Sequence, residues 1–125
     1  MPASEEAVTL GVAAAAAADE RSATDVVLLE VADVLVVADL FLVASVSNER
    51  QLGAVTRAIE EALHAHGRRV LRREGVASSG WVLLDFGDLV CHVLHEEQRA
   101  FYALERLWAD VPHRDPATGA VLDAA

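Results

Sequence analysis

Four groups of residues have the types and spacing that could do chemistry. Cys91 and His92, with His95 and Glu96 close behind, carry the donor atoms of a metal site. Asp85, Asp88 and His92 could be combined into an acid–base group. Arg68, Arg69, Arg72 and Arg73 are the only basic cluster, and a cluster of that kind suits either an anion or the defence of a sheet edge. Trp81, Leu83 and Asp85 place a large indole, an aliphatic side chain and a charge at alternate positions. On one strand face that mixture fits two readings equally: a protein-binding hot spot, or ordinary core, with Trp81 under a helix and Asp85 at the sheet rim.

Most other chemistries lack their residues. There is no GxGxxG or GxxxxGK[ST] loop to cradle phosphate and no GxSxG turn to present a serine nucleophile. One cysteine excludes an internal disulfide framework and a cysteine-based zinc finger, and suits a reducing compartment. His64 and His66 stand two apart on a helical stretch and point in different directions. The charge is −10, from 20 acidic and 10 basic residues. A chain this acidic repels a phosphate backbone and matches a basic protein surface, so no sequence-specific nucleic acid is expected as a direct partner. Glu5 and Glu6 stand where a signal peptide would be basic, and acidic residues interrupt every apolar run, so neither a leader nor a membrane span is expected.

The elements that must position these residues follow from periodicity. The 125 residues, 54% of them apolar, are enough for one domain. Residues 4–20 read as a helix with Ser4 as cap, Glu5 and Glu6 in its first turn, and Val8 and Val12 ahead of an alanine run. Its apolar face is thin, which leaves a packed helix and a frayed arm both open. Residues 26–31 and 41–45 read as buried strands with a short irregular stretch around Ala32 and Asp33. Residues 48–66 form the clearest helix: Asn48 caps it, Gln51 follows three positions on, and Leu52, Val55, Ile59, Ala62 and Leu63 make its stripe up to Gly67. The strand–helix–strand order predicts that the strand near 70–73 runs parallel to a predecessor.

Gly87-Asp88 between two apolar runs is a two-residue hairpin signal. With Phe86 opposite Leu89, one face carries Val82, Leu84, Phe86, Leu89, Cys91 and Val93. The other carries Trp81, Leu83, Asp85, Val90, His92 and Leu94. Cys91 and His92 then alternate faces and cannot share one ion, so no metal site is expected. Asp88, in the turn, is likewise separated from His92. Cys91 on the apolar face reads as an inert buried thiol. Residues 96–109 read as a last helix with Phe101, Leu104, Leu107 and Trp108 as its stripe, stopped at Val111-Pro112. The expected fold is a single α/β domain with a mixed five-stranded sheet flanked by helices. Its divisions are an N-terminal helix over 1–24, the main domain over 25–111 and a flexible tail over 112–125.

In order along the chain, Asn48-Glu-Arg-Gln51, Arg73-Glu-Gly75, Trp81-Val-Leu-Leu-Asp-Phe-Gly-Asp88, His92-Val-Leu-His-Glu96 and Phe101-Tyr-Ala-Leu-Glu-Arg-Leu-Trp108 resemble the ribosomal silencing factor family, also called Iojap-like. The resemblance spans about residues 4 to 111. It implies a nucleotidyltransferase-like fold in a cytoplasmic translational repressor. That repressor binds ribosomal protein number fourteen of the large subunit and sterically blocks subunit joining when nutrients are short. It implies no catalysis, no catalytic residue and no cofactor. The paired acidic motif that nucleotidyltransferase chemistry would use is missing, and Cys91 stands where valine is usual. The partner-binding set on this reading is Trp81, Leu83, Asp85, Asp88, His92 and Glu96. Two rival readings are a nucleotide-handling enzyme that retains the fold and a homodimeric adaptor using the same hairpin face.

Overall fold

The computed structural model describes residues 3–32, 38–102, 106 and 109–122. The first helix, α1 (Glu5–Glu20), starts where Ser4 Oγ accepts the Ala7 N–H. Strands β1 (Thr24–Glu30) and β2 (Leu40–Val46) pair antiparallel, and helix α2 (Glu49–Ala65) follows. Asn48 Oδ1 accepts the Gln51 N–H at 2.8 Å, a cap that contributes about 1 kcal/mol. The reciprocal arm is shifted by one residue: Gln51 Oε1 takes the N–H of Ser47 rather than that of Asn48. Gly67, at φ +77°, ends the helical segment.

Beyond it come β3 (Arg72–Glu74), a 3₁₀ turn over Ala77–Ser79, the hairpin β4 (Trp81–Asp85) and β5 (Leu89–His95), and α3 (Glu96–Tyr102). Two further short strands follow, β6 (His113–Arg114) and β7 (Val121–Leu122). The sheet order is β3-β4-β5-β2-β1-β6-β7, with only β2 and β5 adjacent and parallel. Strand β3 is an edge strand that runs in the same direction as β2. It does not touch β2, and its ladder is antiparallel to β4.

Among the described residues the sheet therefore has seven strands where five were expected. The two extra strands come from the segment expected as a flexible tail. Leu28 and Leu29 pair with Arg114 and His113, and the Glu30 N–H donates to Pro112 O at 2.8 Å. This covers an edge of β1 that would otherwise expose its backbone groups. Arg114 Nε lies 3.4 Å from the buried Glu30 carboxylate, which also accepts the Ala3 N–H. A two-residue strand has no periodicity to read, so the pairing left no local trace in the sequence.

Helices α1 and α2 pack on one sheet face. Leu52, Val55, Ile59 and Leu63 meet Leu28, Leu42, Leu84, Phe86 and Cys91. The alanine face of α1 is docked: Ala7, Leu10, Ala14, Ala15 and Ala18 are buried. Small side chains substitute close approach for bulk. A Cβ added at Gly11 would lie 3.1 Å from Leu40 Cδ1. Val8 and Val12 are half-buried at the margin of this core. Gly119, at φ +80°, sits against them so closely that a Cβ there would lie 2.6 Å from Val8 Cγ1. The opposite sheet face gathers Leu29, Val31, Val43 and Leu94, with Phe41, Trp81, Val90 and Val111 partly buried beside them. Of the stripe expected in the last helix, Leu104, Leu107, Trp108 and the Phe101 side chain lie outside the described residues.

Candidate partner-binding face

The hairpin forms in the register that the Gly87-Asp88 turn dictates. Trp81 pairs with Leu94, Leu83 with His92 and Asp85 with Val90, and the Phe86 N–H donates to Leu89 O at 2.9 Å. Gly87 supplies the φ of +98° that closes the turn. Asp85 Oδ1 accepts the Gly87 N–H at 2.8 Å, so this carboxylate also holds the turn. Counting outward from the turn gives the two faces as expected. Val82, Leu84, Phe86, Leu89, Cys91 and Val93 are all buried against the helices. Cys91 is fully enclosed, and burial pushes its thiol far above the usual range, which leaves it protonated.

Trp81, Leu83, Asp85 and Val90 are half-buried on the other face, while His92 is only 7% exposed. Phe41 joins them from β2, because the parallel β2–β5 ladder sets Phe41 beside Val90 and Val43 beside His92. Phe41 meets the imidazole edge-on, with ring centroids 4.9 Å apart. The Trp81 Nε1–H donates to His92 Nδ1 at 3.3 Å. Burial lowers the His92 pKa from 6.5 to about 4, so the ring is neutral at pH 7. With Nδ1 accepting, the ring proton sits on Nε2. That nitrogen is buried and has no hydrogen-bond partner among the described residues.

Two members of the expected set lie elsewhere. Asp88 leaves the face at the turn, where its Oδ1 accepts from Arg68 Nη2 at 2.8 Å. The same guanidinium donates to Phe86 O at 2.7 Å and to Glu6 at 3.1 Å, which ties the turn to the start of α1. Glu96 is exposed at the start of α3, beyond the end of β5. Four residues, Trp81, Leu83, Asp85 and His92, are therefore brought together. Phe41 was missed as a member, because a parallel neighbour 49 positions away from Val90 in sequence is invisible to local counting.

The basic cluster is largely neutralised. Besides Arg68, Arg73 donates to Glu60, and Arg72 lies 3.5 Å from Glu74 and 3.9 Å from Asp85. These pairs fit a charged sheet edge better than an anion site. Cys91 and His92 face opposite ways, and among the described residues no group of three His, Cys, Asp or Glu side chains could hold a metal ion. No helix among the described residues is long and apolar enough to cross a membrane.

Comparison with known proteins adds an identity to this geometry. Residues 4–124 match the family model described as ribosomal silencing factor during starvation. The ribosomal silencing factor RsfS of Bacillus subtilis is 39% identical over 102 residues, which cover 82% of this chain and 86% of that protein. A crystal structure from Bacillus halodurans is 30% identical, with a TM-score of 0.71 over 96% of this chain and 99% of the other. Another from Chromobacterium violaceum is 28% identical, with a TM-score of 0.77 over 81% and 84%. Sequence and fold agree, and the chain belongs to the ribosomal silencing factor family.

Proposed function

We propose that this chain represses translation by binding the free large ribosomal subunit and occupying space that the small subunit needs. The contact is the sheet face of Trp81, Leu83, Asp85 and His92, and the partner is ribosomal protein number fourteen of the large subunit. Nutrient limitation is the condition under which it acts, and the cytoplasm is where it meets its target. The observation that carries the reading is this face: half-buried Trp81, Leu83 and Val90 surround a carboxylate on the side of the sheet opposite α1 and α2, on a family member with a net charge of −10. Apolar anchors with an acidic rim suit a basic protein surface, where charge steers the encounter and the aromatic anchor supplies affinity. No bond is made or broken. Steric exclusion by a bound body of 13.3 kDa is the whole mechanism.

Co-sedimentation of the purified chain with separated large and small subunits tests the reading. Recovery with large subunits alone is expected. Equal recovery with both, or with neither, contradicts it.

A further inference from the structure

The second sheet face holds a buried donor that has no acceptor among the described residues. His92 lies at the centre of that face, on β5 between β2 and β4, with Leu83 opposite it and Val43 on its other side. The Trp81 indole commits Nδ1 as the acceptor, which puts the proton on Nε2. An orphaned buried N–H is costly, and native structures rarely keep one without a use. His92 also lines a cleft of about 270 Å³ together with Phe41, Leu71, Leu83, Asp85 and Val90. The cleft is apolar along its floor, and its rim carries one carboxylate, Asp85, and one guanidinium, Arg72, 3.9 Å apart.

We propose that His92 is a specificity-determining contact of the docking face, whose Nε2–H donates to a neutral oxygen that the basic protein partner inserts into this cleft. The inference rests on the docking reading above and names what that face selects. The acceptor is a backbone carbonyl, amide or hydroxyl oxygen rather than a carboxylate, because the cleft's one guanidinium, Arg72, already lies 3.9 Å from Asp85 and the pair leaves no net positive charge to hold a second negative group. A cation next to the inserted oxygen meets Asp85 instead. In the free chain Nε2 is shut from solvent, so the partner must displace one of the half-buried side chains that border the cleft, such as Leu83. An apolar segment without an acceptor fills the cleft but leaves the donor unpaired, and it is rejected for that reason. The Trp81–His92 hydrogen bond thereby has a second role. It holds the tautomer that makes His92 a donor toward the partner.

Two variants separate the donor from the shape of the ring. His92→Phe keeps a ring of similar size and removes both polar atoms. His92→Gln places an amide N–H near the position of Nε2. Affinity for purified large ribosomal subunits is measured for the parent and both variants, beside denaturant melts of each. His92→Phe is expected to melt close to the parent, since deleting the unpaired Nε2–H offsets the loss of the Trp81 hydrogen bond, and to bind roughly tenfold more weakly or worse. His92→Gln is expected to keep most of the affinity. A folded His92→Phe chain that binds large subunits as tightly as the parent overturns the role of His92 and leaves the docking face standing. A Gln variant as weak as the Phe variant also overturns it, because the donor then contributes nothing that shape does not. A parent chain that fails to bind large subunits overturns the docking reading, and the acceptor with it.

Discussion

The indole of Trp81 and the imidazole of His92 are joined across the β4–β5 hairpin by a single hydrogen bond of 3.3 Å, diagonal to the ladder. A residue of the proposed docking face thus also fixes the proton of a buried neighbour.

Trp81→Ala is therefore expected to act on both binding and stability. Loss of a half-buried aromatic anchor should weaken binding to large subunits by roughly 2 kcal/mol or more. The fold should lose about 1–2 kcal/mol, less than the 3–5 of a fully enclosed ring, because part of the indole already faces water. Denaturant melts beside a binding assay check this. An unfolded variant, or a folded one with parental affinity, removes Trp81 as an anchor.

Asp85 separates charge from geometry. Asp85→Asn keeps an oxygen for the Gly87 N–H, so its melt should stay within about 0.5 kcal/mol of the parent. Its association with large subunits should slow and lose part of its salt dependence. Asp85→Arg removes the turn contact as well. It should cost about 1 kcal/mol of stability in addition to converting attraction into repulsion. Association rates at two salt concentrations are the measurement. An Asn variant with the parent's rate and salt response counts against charge steering at this residue.

Arg68 is expected to be structural. It bridges Asp88, Phe86 O and Glu6, all half-buried or at the surface. Arg68→Met should lower stability by roughly 1–2 kcal/mol, discounted for solvent screening, without a matching loss of affinity for the subunit. A folded Arg68→Met chain that no longer binds would place the cluster in the interface.

Acid should weaken the fold through His92. The unfolded imidazole titrates near 6.5 and the folded one near 4. As pH falls below 6.5, the unfolded chain takes up a proton that the folded chain refuses, and stability drops. Between 6.5 and about 5 the loss from this residue is about 2 kcal/mol. Paired melts at the two pH values should show a shallower drop for His92→Phe than for the parent. Equal drops would mean that His92 is not desolvated.

What the sequence made legible is local. Asn48 and Gln51 placed the start of α2, and Gly87-Asp88 set the hairpin register on which both face assignments depend. What it hid is non-local or featureless. Arg68 and Asp88 are 20 positions apart, and nothing in the chain announces that they meet. Phe41 reaches the site through a parallel pairing. β6 and β7 are two residues each, too short for a period, and they appear because β1 needs its edge covered. The helix α1 looked weak because alanine buries little area, whereas Gly11 and its alanine neighbours let the helix backbone come close to the sheet.

Subunit joining tests the central claim most directly. Purified large subunits are incubated with the chain, small subunits are added under associating conditions, and the mixture is resolved on a density gradient. The account predicts that joined ribosomes decline as the chain saturates, with the chain travelling in the large-subunit peak. Full joining at a saturating concentration of the chain, or its appearance on small subunits or joined ribosomes, would contradict it.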